Sequence, residues 1–305
     1  MLAYLAQRLG QSIVVLFLVS IVSFVLILLS GDPVAMMLPT HASEQDRISI
    51  RHELGLDRPL TEQYATFAGR ALHGDFGTSI KFDQPVGPLI LSKLPATLLL
   101  ACTAIVLAIA IGLPLGITSA TRPGTWMDFA GTALALATAA VPTFWIGLIL
   151  ILVVSDALRL LPSGGSGDVQ HLILPAVTLA APSVGLITRL TRASVLAELE
   201  QPYVRTAHAK GLAPLGIQYG HVLRNALIPI VTVVALQFGA LLGGSVIVET
   251  VFSWPGAGWL LMQGVFARDV PVVRALVLIL GASFILLNLM VDISYRYIDP
   301  RIRSV

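Results

Sequence analysis

The chain has 305 residues, of which 56% are hydrophobic and 12% charged, against roughly 25% charged residues in an average soluble domain. That balance excludes an ordinary soluble enzyme and any disordered or collagen-like chain, and a single cysteine, Cys102, excludes a disulfide scaffold. A net charge of +2, from 19 basic and 17 acidic residues, gives no basic field for a nucleic-acid partner. What remains is an all-α polytopic membrane protein.

A bilayer core about 30 Å thick takes about 20 apolar residues per helix. Six segments meet or approach that length: 10–30, 96–118 after Pro95, one within 129–155 that Pro142 interrupts, 172–191 with Pro175 and Pro182, 226–249 with Pro229 near its start, and 274–293. The first exceeds a signal-peptide core and no A-x-A-like site closes it, so it reads as a retained span. Lys and Arg in the short loops set orientation. With the N-terminus inside, Arg8, Arg122, Arg189, Arg192, Arg205, Lys210, Arg224, Arg296, Arg301 and Arg303 lie on the cytoplasmic side, against Arg159, Arg268 and Arg274 outside. Both termini are then cytoplasmic. The expected division is a tail and first span (1–30), an external segment (31–95), a membrane domain with spans two to six (96–293), and a cytoplasmic tail (294–305). The external segment is polar, with helical apolar spacing at Leu60, Tyr64, Phe67, Ala68 and Leu72 predicting a helix over 59–73. Loops 156–171 and 250–273 are expected outside, and 119–128 and 192–225 inside.

Catalytic motifs are largely missing. There is no H-E-x-x-H and no metal-spaced Cys/His set. Lys81, Lys93 and Lys210 are the only lysines and none follows G-x-x-x-x-G, so ATP-driven work needs another chain. Gly164-Gly165-Ser166-Gly167 fits the G-x-S-G of rhomboid intramembrane proteases. It falls in a short external loop, with His171 five residues on and no histidine in any span; a flexible turn explains it. Polar groups within spans are functional candidates by default. Gln237, Glu249 and Asn288 are candidate translocation-path residues, with interhelical hydrogen bonding the competing reading for Gln237 and Asn288 and interface anchoring for Glu249. Asp292, Arg189 and Arg192 read as interface anchors. Gly112/Gly116 and Gly239/Gly243 are G-x-x-x-G pairs, which allow close helix packing against an unidentified partner.

The loop 192–225 carries the strongest signal. In Tyr203-Val204-Arg205-Thr206-Ala207-His208-Ala209-Lys210-Gly211-Leu212, Pro202 suits a first helical turn and Gly211 a position just past the helix end. The spacing predicts a short helix with its cations near the C-terminal end, and a second helical stretch, 221–227, running into Pro229.

Y-V-R-T-A-x-A-K-G-L at 203–212, followed by L-R-N-A-L-I-P at 223–229, resembles the ATPase-docking loop of ABC importer inner-membrane permeases, in the dipeptide-permease B form of the peptide/nickel branch. Arg205-Thr206-Ala207 replaces the general E-A-A, and His208 stands where the branch commonly has Arg. Further matches run in order along the chain: Gly31-Asp32-Pro33, Leu54-Gly55-Leu56-Asp57-Arg58-Pro59-Leu60, Gln63-Tyr64, Gly74-Asp75-Phe76-Gly77-Thr78-Ser79, 170–175, 248–256 and Asp299-Pro300-Arg301-Ile302-Arg303. The resemblance implies a six-span type I importer permease fold and no catalytic residues. It implies a docking helix of Tyr203, Val204, Arg205, Thr206, Ala207, Lys210, Gly211 and Leu212, with Arg224. Asp75, Phe76, Trp254, Pro255 and Gly256 become candidates for an external gate or binding-protein contact. The implied partners are a second, C-type permease, two P-loop ATPase subunits that bind ATP and Mg, an extracytoplasmic solute-binding protein, and membrane lipid. The implied cargo is di- or oligopeptides, with glutathione or a nickel chelate as alternatives; Met36, Met37 and His41 are the residues that bear on a metal. A secondary transporter would show inverted repeats and charged midplane residues, and neither is clear here.

Overall fold

A computed structural model describes residues 2–29, 43–53 and 57–298. Gly31-Asp32-Pro33, Met36, Met37, His41, Leu54-Gly55-Leu56 and Asp299-Pro300-Arg301-Ile302-Arg303 lie outside the described residues, as does the side chain of Asp292. The helices are α1 Leu2–Leu29, α2 Glu44–Glu53, α3 Leu60–Leu72, α4 Val86–Thr121, α5 Trp126–Ala140, α6 Thr143–Leu150, α7 Val169–Leu199, α8 Pro202–Ala209, α9 Pro214–Ile217, α10 Leu223–Val251, α11 Ala257–Phe266 and α12 Val270–Ile298. α6 continues as a π-helix, Ile151–Ala157, and α9 joins α10 through another, Gln218–Val222. Among the described residues the only β-pairing is an isolated bridge, Thr78 with Pro85.

Among the described residues five helical segments are long and apolar enough to cross a membrane, and a sixth results if the bent pair α5–α6 counts as one span. The bend is 104°. Its cause is local: the residue before a proline is driven out of the helical region, and Val141, before Pro142, is extended at φ −94° and ψ 129°. The second span starts earlier than the sequence led us to expect. α4 begins at Val86, so Pro95 lies inside the helix rather than ahead of it. The segment 250–273 contains the apolar helix α11, which hydropathy over a span-length window does not pick out. The expected helix at 59–73 is α3.

The chain forms two compact units, 1–96 with 255–289 and 97–254 with 290–305. In the first, Val86, Leu89 and Ile90 of α4 pack with Ala257 and Leu260 of α11 and with Val272, Ala275 and Leu276 of α12. The buried carboxylate of Asp269 ties the turn before α4 to the start of α12. It accepts from Ser79 Oγ at 2.5 Å, Lys81 N at 3.0 Å and Val272 N at 3.4 Å. α3 lies on α1 through Tyr64, whose Oη is 2.6 Å from Ser20 Oγ. Arg274, expected in an external loop, sits instead within α12, its guanidinium 4.6 Å from the centre of the Phe67 ring and 5.3 Å from that of Phe24.

In the second unit α7 is central. Of its most apolar window 61% is buried, against 33% in α4. Small residues let its neighbours approach, which is how helices associate where lipid removes the hydrophobic drive between them. Gly112 and Gly116 of α4 find their partner here: a Cβ on Gly116 would stand 2.4 Å from Thr191 Cβ, and one on Gly112 would stand 3.0 Å from Ile187 Cβ. Gly185 of α7 meets α5 just as closely, with Ala135 O 2.7 Å from a Cβ there.

Candidate functional site

The loop between α7 and α10 forms a compact platform. Pro202 opens α8 with its φ already helical and no N–H to satisfy. The helix ends in a Schellman motif. Gly211 N donates to His208 O at 2.9 Å and Leu212 N to Ala207 O at 3.3 Å, with Gly211 left-handed at φ +77°. The short helix and the conformation of Gly211 are both as the sequence predicts.

The helix has two faces. Val204 and Ala207 are buried with Ile117 and Ala120 of α4, Val195 of α7, Ile217, Val222, and Ala226 of α10, and Tyr203 packs at the edge of this cluster. The Tyr203 hydroxyl donates to Glu198 Oε2 at 2.6 Å and accepts from Asn225 Nδ2 at 3.3 Å. Burial, and then the Glu198 carboxylate, push the phenol pKa above its ordinary value. Arg205, Thr206, Lys210, Gly211, Leu212 and Arg224 are exposed. The nine residues drawn from the sequence therefore divide: six face outward, while Tyr203, Val204 and Ala207 hold the helix to the spans. The outward face also contains His208, Leu215 and Tyr219, the last two exposed by 68% and 57%. Leu212, Leu215 and Tyr219, large apolar or aromatic groups in a loop outside the spans, were the signal the sequence held for the last two.

The other candidates are scattered. Gln237 of α10 is half-buried and donates from Nε2 to Ser183 Oγ of α7 at 3.4 Å. Glu249, near the end of α10, is fully buried, and its carbonyl accepts from Trp254 N at 2.8 Å. Asn288 of α12 is half-buried. Asp75 is exposed; Arg70 Nε, 2.8 Å away, and Gly77 N hold its carboxyl below the usual range. Phe76 packs beside the Val86–Leu276 cluster. Trp254 is 5% exposed, Gly256 is buried and Pro255 half-buried. Of these five residues only Asp75 is exposed. His171 Nδ1 lies 2.8 Å from Asp168 Oδ1 beside the Gly164–Gly167 turn, whose Gly165 N donates to Phe252 O; this is a capped loop. Among the described residues no cluster of three His, Cys, Asp or Glu side chains could hold a metal ion.

One pairing escaped the sequence. Arg192 of α7 makes a bidentate bond to Asp128 of α5, at 2.6 Å from Nε and 2.9 Å from Nη2, and Asp128 also accepts from Gly124 N. The pair fixes the loop end of α7 to the start of α5.

The model of the binding-protein-dependent transport system inner membrane component matches residues 112–304, and that of the N-terminal part of such membrane components matches residues 1–101. The chain is 42% identical over 304 residues to the glutathione transport system permease protein GsiC of Escherichia coli K12, covering 99% of each. It is 41% identical over 304 residues to the protein of that name in Salmonella typhi, again covering 99% of each. Among solved structures, the inward-facing MetNI methionine ABC transporter superposes with a TM-score of 0.59 at 20% identity, over 69% of this chain and 96% of that one. An amino acid ABC transporter superposes with a TM-score of 0.57 at 16% identity, over 69% and 94%. The fold is thus that of ABC importer permeases.

Proposed function

Since the chain belongs to the family of binding-protein-dependent transport system inner membrane components, as a membrane subunit of an ABC importer, we propose that it forms half of the translocation path for short peptides, with glutathione the leading cargo. Nickel chelates are the second reading. The relatives named as glutathione permeases support this cargo, because their 42% identity extends over 99% of the chain. In this reading both termini are cytoplasmic, a C-type permease supplies the other half of the path, and an external binding protein delivers the cargo. Of two ATPase subunits, one docks on the α8 platform, and the pair supplies ATP and Mg chemistry; this chain breaks no bond.

The observation that carries the docking assignment is the division of α8. Its apolar face is used up on α4, α7 and α10, while Arg205, Lys210, Leu212 and Leu215 remain exposed. A surface with cations around apolar anchors suits a protein groove. Gly243, Ala240 and Ile247 form an exposed face of α10, with nothing within 4 Å of a Cβ on Gly243, which supports a second permease helix packing there. ATP would close the ATPase pair, displace the platforms and rock the spans open to the outside.

Uptake into vesicles carrying the complete complex tests the reading. Labelled glutathione should accumulate with ATP and the cognate binding protein, and short peptides should compete. Accumulation of a nickel chelate that neither glutathione nor dipeptide displaces would replace the cargo assignment.

A further inference from the structure

We propose that the Tyr203 hydroxyl is the positioning group of this loop, fastening α8 to α7 through Glu198 and to α10 through Asn225, so that a displacement of the loop reaches both helices together.

The inference rests on the docking reading and deepens it. The resemblance treats Tyr203 as part of the surface offered to the ATPase. The structure turns it inward, half-buried, with its ring packed against the buried cluster and its oxygen shared between α7 and α10. The apolar contacts of Val204 and Ala207 hold α8 close but do not set its direction, because burial is non-directional. A hydrogen bond does. The 2.6 Å bond to Glu198 is short and charge-assisted. Asn225 completes the bridge on the far side, at the point where the π-helix Gln218–Val222 gives way to α10. Burial raises the phenol pKa, so the group remains a donor throughout the physiological range. No other side chain in the loop is hydrogen-bonded to residues of both α7 and α10 among the described residues.

The test uses the whole complex in proteoliposomes, reading labelled glutathione accumulated per ATP hydrolysed and the ATPase subunits that copurify. Tyr203→Phe keeps the ring and loses the bridge. Its uptake per ATP should fall by about tenfold, the factor a hydrogen bond to a charged acceptor carries, with ATPase recovery retained. Glu198→Ala should reproduce the loss, Glu198→Gln should restore most of it because an acceptor oxygen remains, and Tyr203→Phe with Glu198→Ala should be no worse than either alone. A wild-type ratio in Tyr203→Phe, or losses that simply add, would overturn the proposal. If Tyr203→Phe fails to assemble, Asn225→Ala gives the same reading with the phenol in place: a reduced ratio supports the bridge and a normal one refutes it. Leu215→Asp separates the two levels. Its full ATPase recovery and uptake would remove the docking reading itself, and the bridge with it. Its loss of recovery alongside a normal Tyr203→Phe would remove the bridge alone.

Discussion

Replacing Gly116 by Ala should unseat α4 from α7. The added Cβ would lie 2.4 Å from Thr191 Cβ, 2.7 Å from Thr188 O and 2.8 Å from Thr191 Cγ2. Carbon atoms pack at about 3.5–4.0 Å, which leaves a shortfall of about 1 Å, and the backbone oxygen cannot swing aside. The helices must separate along a stripe that includes Gly112. Overpacking of this kind costs about 3 kcal/mol, and the higher helix propensity of Ala returns about 1 kcal/mol, for a net loss near 2 kcal/mol. Gly112→Ala meets Ile187 Cβ at 3.0 Å and Val184 O at 3.1 Å, so its clash roughly cancels its propensity gain. Gly243→Ala meets nothing within 4 Å and should leave the isolated chain unchanged or up to about 1 kcal/mol more stable. Unfolding of the purified chain by a denaturing detergent titrated into mild-detergent micelles, followed by helical ellipticity, gives the order. A Gly116→Ala midpoint at or above that of Gly243→Ala would refute the packing argument.

Arg192→Ala strands the Asp128 carboxylate, whose side chain is 10% exposed; it should cost about 1–3 kcal/mol in the same titration, between the values for exposed and buried pairs, and Asp128→Ala added to it should recover part of the loss. Gly211→Leu places a branched residue at φ +77°, a strain of about 1–2 kcal/mol, and should abolish uptake at matched protein level while Gly211→Asn, which tolerates that conformation, retains it; normal uptake by Gly211→Leu would take this turn out of the coupling mechanism. Arg274→Ala removes the guanidinium that lies over the Phe67 and Phe24 rings, a loss of about 2 kcal/mol for a desolvated cation–π contact, and should speed tryptic cleavage at Arg70; unchanged cleavage would show that α3 is held by Tyr64 and its neighbours alone.

Length and hydropathy made the spans legible because a bilayer imposes its thickness on the sequence. They misplaced the start of α4 because Ser92, Lys93 and Pro95 interrupt the apolar run without interrupting the helix. Lys93 can be accommodated by laying its Nζ 6.0 Å from the centre of the Trp259 ring. α11, at 10 residues, is too short for any membrane criterion. In the loop, the motif identified the right residues but not their directions. Spacing held part of that information: 203, 204 and 207 fall within about 100° of helix arc and 205 lies opposite, while Lys210, seven positions after Tyr203, falls past the helix end at Ala209. The Asp128–Arg192 pair was illegible for a different reason. Its members are 64 positions apart, each reads alone as an ordinary charge at a membrane border, and only the packing of α5 against α7 brings them together.

The second unit builds its rigidity from two unlike materials, and lipid explains the choice. Between spans, greasy side chains gain nothing by leaving a hydrocarbon solvent, so α4, α5 and α7 are joined by close backbone approach at Gly116 and Gly185. At the loop, where water competes, the joint is a buried apolar cluster together with directional polar ties at Tyr203 and Arg192. A push on the exposed face of α8 therefore meets a helix held in place by hydrogen bonds, and α7, which receives it, meets α4 across a seam where Gly116 leaves no room for a single added carbon. Softening either joint should separate ATP hydrolysis from transport, but by different routes. A change in the glycine seam lowers the stability of the isolated chain, whereas loss of the Tyr203 bridge leaves the spans packed and shows itself in the ratio of cargo moved to ATP consumed.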